Sequence, residues 1–75
     1  MKTFIYNGKV YEVQEKTYTY NGDDFKCLHI KSGNFECAID GDEMSLDAIN
    51  TDSDFAALMQ YEYLITDYDF LKLIK

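Results

Sequence analysis

The chain has no arginine: its seven cations are lysines, at positions 2, 9, 16, 26, 31, 72 and 75. Against them stand 14 acids, for a formal net charge of −7. Such a surface does not neutralise phosphates, which argues against direct nucleic-acid binding and against docking on an anionic membrane. Long apolar runs are also lacking. None approaches the roughly 18 to 20 residues that cross a bilayer, and Met1 to Gly8 has neither the apolar length nor the cleavage site of a signal peptide. The expected location is the cytoplasm, or the host cytoplasm if the chain is phage-encoded. Histidine occurs once and cysteine twice, with no C-x-x-C, so a tetrahedral zinc site would need carboxylates to complete it. The phosphate loop, the G-x-S-x-G elbow and the dinucleotide fingerprint are absent. So is the EF-hand order, because Gly41 stands between Asp40 and Asp42 and Met44 follows. No metal or cofactor is expected. Nor is an enzyme, since 75 residues leave little room for a substrate cleft.

What is there suits one small domain. Apolar residues make up 47% of the chain and aromatics 16%, enough for a packed core despite the charge. A domain this short buries only about 60% of its unfolded surface. The first half reads as hairpins. Thr3–Tyr6 and Lys9–Val13 flank Asn7-Gly8, the strongest short hairpin signal. A two-residue turn there pairs Tyr6 with Lys9 and Phe4 with Tyr11, placing Phe4, Tyr6, Tyr11 and Val13 on one face. Thr17–Tyr20, Phe25–Ile30 and Phe35–Ile39 follow, each closed by a glycine-containing turn. The stretch from Val10 to Tyr20 reads either as one long strand bent at Gln14-Glu15-Lys16 or as two strands.

The second half changes period. Thr51-Asp52-Ser53-Asp54 is a cluster of capping residues, with Thr51 and Asp54 spaced as a capping box. Phe55, Leu58, Tyr61, Leu64/Ile65, Tyr68 and Leu71 then recur every three to four residues, a helical stripe. The stripe puts Tyr61 and Tyr68 on the core side. Thr66-Asp67-Tyr68-Asp69 forms a second set of caps, so the helix is expected to break near Thr66 and restart. Met44–Ile49 reads as a short helical turn or an irregular bridge. The expected fold is α+β, an antiparallel meander of three to four strands over residues 1–40, an acidic turn region over 41–53 and helical structure over 54–75.

The cysteines bear on register. A Ser32-Gly33 turn pairs Lys31 with Asn34, Ile30 with Phe35 and Leu28 with Cys37, gathering Leu28, Ile30, Phe35, Cys37 and Ile39 on one apolar face. Cys27 then points the other way with Phe25 and His29, and no disulfide is expected. In this register His29 faces Glu36 as a surface pair. Cys27 and His29 lie about 7 Å apart along one strand with no oxyanion loop beside them, which is a poor arrangement for nucleophilic catalysis.

Charge is segregated. Residues 1–31 hold four acids and five lysines (+1), whereas residues 32–75 hold ten acids and two lysines (−8). Such an acidic half attracts basic partners, although acidity also serves solubility. The candidate partner-binding residues are Asp40, Asp42, Glu43, Asp47, Asp52, Asp54, Glu62, Tyr63, Asp67 and Asp69. The seven tyrosines offer contact area at low entropy cost. In length, acidity, lack of arginine and abundance of tyrosine, the chain is similar to the small acidic proteins with which phages block host enzymes. Among these are DNA-mimic inhibitors of restriction, repair or CRISPR nucleases. The similarity is compositional and covers no alignable motif, so no residue role carries over. It implies a non-enzymatic inhibitor or adaptor that occupies the basic surface of a nucleic-acid-binding enzyme. The alternative is a structural module that forms a homodimer through a sheet edge or a tyrosine patch.

Overall fold

The computed structural model describes residues 1–42, 44–60 and 64–75. Four strands, β1 (Lys2–Tyr6), β2 (Lys9–Tyr20), β3 (Asp23–Ser32) and β4 (Phe35–Asp40), form one antiparallel meander in the order β1-β2-β3-β4. A 3-10 turn at Leu46–Ala48, helix α1 (Asp52–Met59) and a single helical turn α2 (Tyr68–Leu71) follow. The α+β class and the meander expected from the sequence are present.

Asn7-Gly8 and Asn21-Gly22 each have positive φ at both residues. This is the type I′ geometry whose twist suits a two-residue hairpin. The first hairpin has the expected pairs, Tyr6 with Lys9 and Phe4 with Tyr11. The stretch from Lys9 to Tyr20 is one unbroken strand. At about 3.3 Å per residue it runs roughly 40 Å, close to the molecule's longest extent of 38 Å.

The third hairpin corrects the expected register. Gly33, not Ser32, opens the turn: Gly33 has positive φ and Asn34 does not, the pattern of a type II′ turn. Ser32 therefore pairs with Phe35, Ile30 with Cys37 and Leu28 with Ile39. The slide is two residues, so every side chain keeps its predicted face while its partner changes.

The first sheet face carries the main core. Phe4, Tyr11, Val13, Leu28, Ile30, Cys37 and Ile39 pack against Ile49, Phe55 and Leu58. The ring of Phe55 stacks on Phe4 at 5.2 Å and meets Tyr11 at 5.2 Å. The capping box forms as expected, with Asp54 N–H donating to Thr51 Oγ1 at 3.0 Å and Thr51 N–H to Asp54 Oδ2 at 3.1 Å. The Lys2 ammonium, which the sequence did not single out, donates to the carbonyls of Leu46 and Ile49 at 2.9 and 2.8 Å. It thereby fastens the 3-10 turn to the start of the sheet.

The helical stripe does not continue as one helix. α1 closes at Met59, and Ile65 is paired with Ala38 of β4 in an isolated antiparallel bridge. Asp67 then caps α2, accepting from Asp69 N–H at 2.9 Å, so the restart after Thr66 occurs where expected. α2 lies on the second sheet face. Leu71 is buried there, and Phe70 meets Tyr18 edge to face at 4.8 Å. Beyond α2, Ile74 bridges to Tyr18, and Lys75 N–H donates to Thr17 O at 2.9 Å. The C-terminal segment thus crosses the second face and is pinned at β4 and β2. Tyr68, expected in the core, is 69% exposed under the Lys72 ammonium. The expectation for Tyr61 lies outside the described residues.

Candidate functional site

The hairpin of β2 and β3 extends past its neighbours. β1 begins pairing at Val13, and β4 stops opposite Cys27. The four pairs from Thr17 with Lys26 to Tyr20 with Asp23 therefore reach past β1 and β4 as an arm, its base bordered by Ile74 and Lys75 along Thr17 and Tyr18. Alternation places Tyr18, Tyr20, Asp23 and Phe25 on its second face. Tyr18 stacks on Phe25 at 5.4 Å, while Tyr20 is 58% and Phe25 41% exposed.

Two of the sequence candidates join this arm. Asp40 ends β4 opposite Cys27, on the same face as Tyr18. Burial pushes the Tyr18 hydroxyl above its ordinary pKa, and the negative charges of Asp40 and Asp42 add to the effect. The arm face thus combines three aromatics with Asp23, Asp40 and Asp42. Tyr18 and Tyr20 belong to the tyrosines expected to offer a contact patch, whereas Asp23 and Phe25 were not among the site candidates. The signal for them was the Asn21-Gly22 turn, which sets Asp23 opposite Tyr20.

The other candidates stand elsewhere, and several serve the fold. Asp52 Oδ1 accepts the Ile5 N–H at 3.1 Å. Ile5 pairs with Val10 next to the hairpin-closing pair, so its N–H points outward, and Asp52 covers that part of the β1 edge. Asp54 is held below the usual aspartate range, first by the N–H of Asn50 and further by Thr51 and Lys2. Asp67 caps α2 on the second sheet face, the side opposite α1. Asp47 and Asp69 are exposed, the first beside the 3-10 turn and the second on α2. The structure therefore does not gather these acids on one helix face. Glu43, Glu62 and Tyr63 lie outside the described residues.

Both cysteines are free thiols and fully buried, on opposite sheet faces as expected. Burial pushes Cys37 up to about 12, and Cys27 is also raised, by burial and then by Asp40. Neither is a ready nucleophile. His29 was expected at the surface but is only 7% exposed, because the C-terminal segment covers its face. The corrected register sets Ala38 opposite His29, yet Glu36 reaches it diagonally, with 3.2 Å between His29 Nε2 and Glu36 Oε2. Among the described residues, no three His, Cys, Asp or Glu side chains stand close enough to hold a metal ion. No helix of the described residues is long and apolar enough to cross a membrane. No family model, curated protein or solved structure matches the chain.

Proposed function

We propose that the protein is a non-enzymatic protein-binding module, an inhibitor or adaptor that engages a basic surface such as the nucleic-acid groove of an enzyme. The observation that carries this reading is the arm, where Tyr18, Tyr20 and Phe25 stand beside Asp23, Asp40 and Asp42. Exposed aromatics supply contact area at low entropy cost, and carboxylates around them select lysine and arginine while steering association. Charge elsewhere adds to the field: among the described residues only Glu15 and Glu36 stand in ion pairs, with Lys26 and His29. In the DNA-mimic version of this reading, the carboxylates take the positions of phosphates.

The test is retention of proteins from a host lysate on the immobilised chain, repeated with two double variants. Asp23→Lys with Asp42→Lys should abolish retention of basic nucleic-acid-binding proteins. Asp47→Lys with Glu12→Lys, the first beside the 3-10 turn and the second five residues before the arm on β2, should leave most of it. Equal effects from both pairs would defeat the arm as the contact surface.

A second reading, self-association, is favoured by the arm's edge. Beyond the last β4 contact, where Gly41 N–H donates to Lys26 O at 3.0 Å, no described residue pairs with that side of β3. Open edges of this kind join strands of other chains. Sedimentation analysis showing a dimer that Asp24→Pro disperses would support this reading over the first.

A further inference from the structure

The second sheet face holds a polar grid at its centre. Glu12, Lys31 and Glu36 stand side by side across three strands, and next to them come Gln14, His29 and Ala38. Leu71 and Ile74 form the roof over this floor, leaving a cleft of about 300 Å³ that Lys16 also lines. A second hollow of about 380 Å³ shares Lys31, Glu36 and Leu71 and runs on towards Thr66 and Tyr68. These volumes are at the lower end of small-molecule sites. The bridges of Ile65 to Ala38 and Ile74 to Tyr18 hold the roof on both sides, so the cleft is preformed.

The charges of this floor are not sealed in: Glu12 and Lys31 are exposed and Lys16 and Glu36 half-buried, so each is open to solvent and to a ligand. Here Glu12, Lys16, Lys31 and Glu36 line the cleft, and their formal charges cancel. Among the described residues these four make no ion pair with one another within 4.0 Å. Glu36 contacts His29, and the remaining pair, Lys26 with Glu15, lies on the other face. Charges of both signs are therefore available to a third party. A simple anion would meet two carboxylates on a molecule of net charge −7, and a simple cation would meet two ammonium groups. A ligand carrying both signs satisfies both sets.

We propose that this cleft binds a small zwitterion of the free amino acid class. The carboxylate is taken by Lys16 and Lys31, the ammonium by Glu12 and Glu36, and a short apolar side chain lies against Leu71 and Ile74. The site is separate from the arm and does not depend on the function proposed for it.

The experiment is an amide chemical-shift titration of the full chain with glycine, alanine and valine as free amino acids. Acetate and methylammonium, at matched ionic strength, serve as single-charge probes. At least one amino acid should shift Gln14, His29 and Glu36 saturably and bind about tenfold or more tightly than either single-charge probe. Glu12→Gln and Lys31→Met should each weaken that binding about tenfold. Because both residues are exposed, the remaining resonances should stay in place, and Lys16→Met provides a further variant of the same kind. No saturable shift up to about 10 mM would overturn the proposal. So would single-charge probes that bind as well as the amino acids, or indifference to Glu12→Gln.

Discussion

Gly41 is the glycine with the least room to change. A Cβ built there would stand 2.8 Å from the Lys26 carbonyl oxygen, a backbone atom that cannot swing aside. Gly41→Ala should force the end of β4 away from β3, costing about 1–3 kcal/mol, as read from chemical denaturation. It should also displace Asp40 and Asp42 from the arm. Thr51→Ala removes half of the capping box and should cost about 1 kcal/mol, measured the same way. Asp54 adds a pH signature. Its folded pKa is depressed, so its contribution to stability is complete above the unfolded value of about 3.9 and is lost as pH falls through the folded value. Below about pH 4, the melting temperature of the parent should therefore fall more steeply than that of Asp54→Asn. Parallel curves would mean that the carboxylate is not the group responsible.

At the scale of elements, the two faces of the sheet are covered by different pieces of chain, and the thiols report on each. Cys37 lies in the main core under α1, whereas Cys27 lies on the face covered by α2 and its flanks. A thiol reagent should find two cysteines after denaturation and almost none before. In Leu71→Ala, Cys27 should label much faster while Cys37 stays protected; equal acceleration would mean that α2 does not open separately. The strands were legible because Asn-Gly turns and period-two alternation are local signals, and the capping box was legible for the same reason. The register of β3 with β4 was not, since Ser32-Gly33 and Gly33-Asn34 turns place the same side chains on the same faces. The crossing to the second face was also hidden. Phe55 and Leu58 belong to α1, Ile65 is set by long-range pairing with β4 and Leu71 by the separate turn α2, yet all four fit one helical spacing. For the same reason the acids after Phe55 could not be placed, and the cleft, built from four separate segments, left no local trace.

At the scale of the whole molecule, the arm and the cleft stand on the same sheet face but make opposite use of charge, net negative on the arm and balanced in the cleft. Salt should therefore slow association at the arm, since exposed charges are screened beyond about 8 Å at physiological ionic strength. A rate of association that does not change between low and high salt would leave the acidity as an aid to solubility. The C-terminal crossing also sets an order of events in time. The three hairpins close between near neighbours, whereas Ile74 meets Tyr18 from the far end of the chain, a costly loop to close before anything else is formed. Docking of the last ten residues then follows the rate-limiting barrier. Leu71→Ala should leave the refolding rate nearly unchanged and speed unfolding, because contacts absent from the transition state act on the unfolding limb alone. The segment that roofs the cleft would thus be a latch, fitted last and released first.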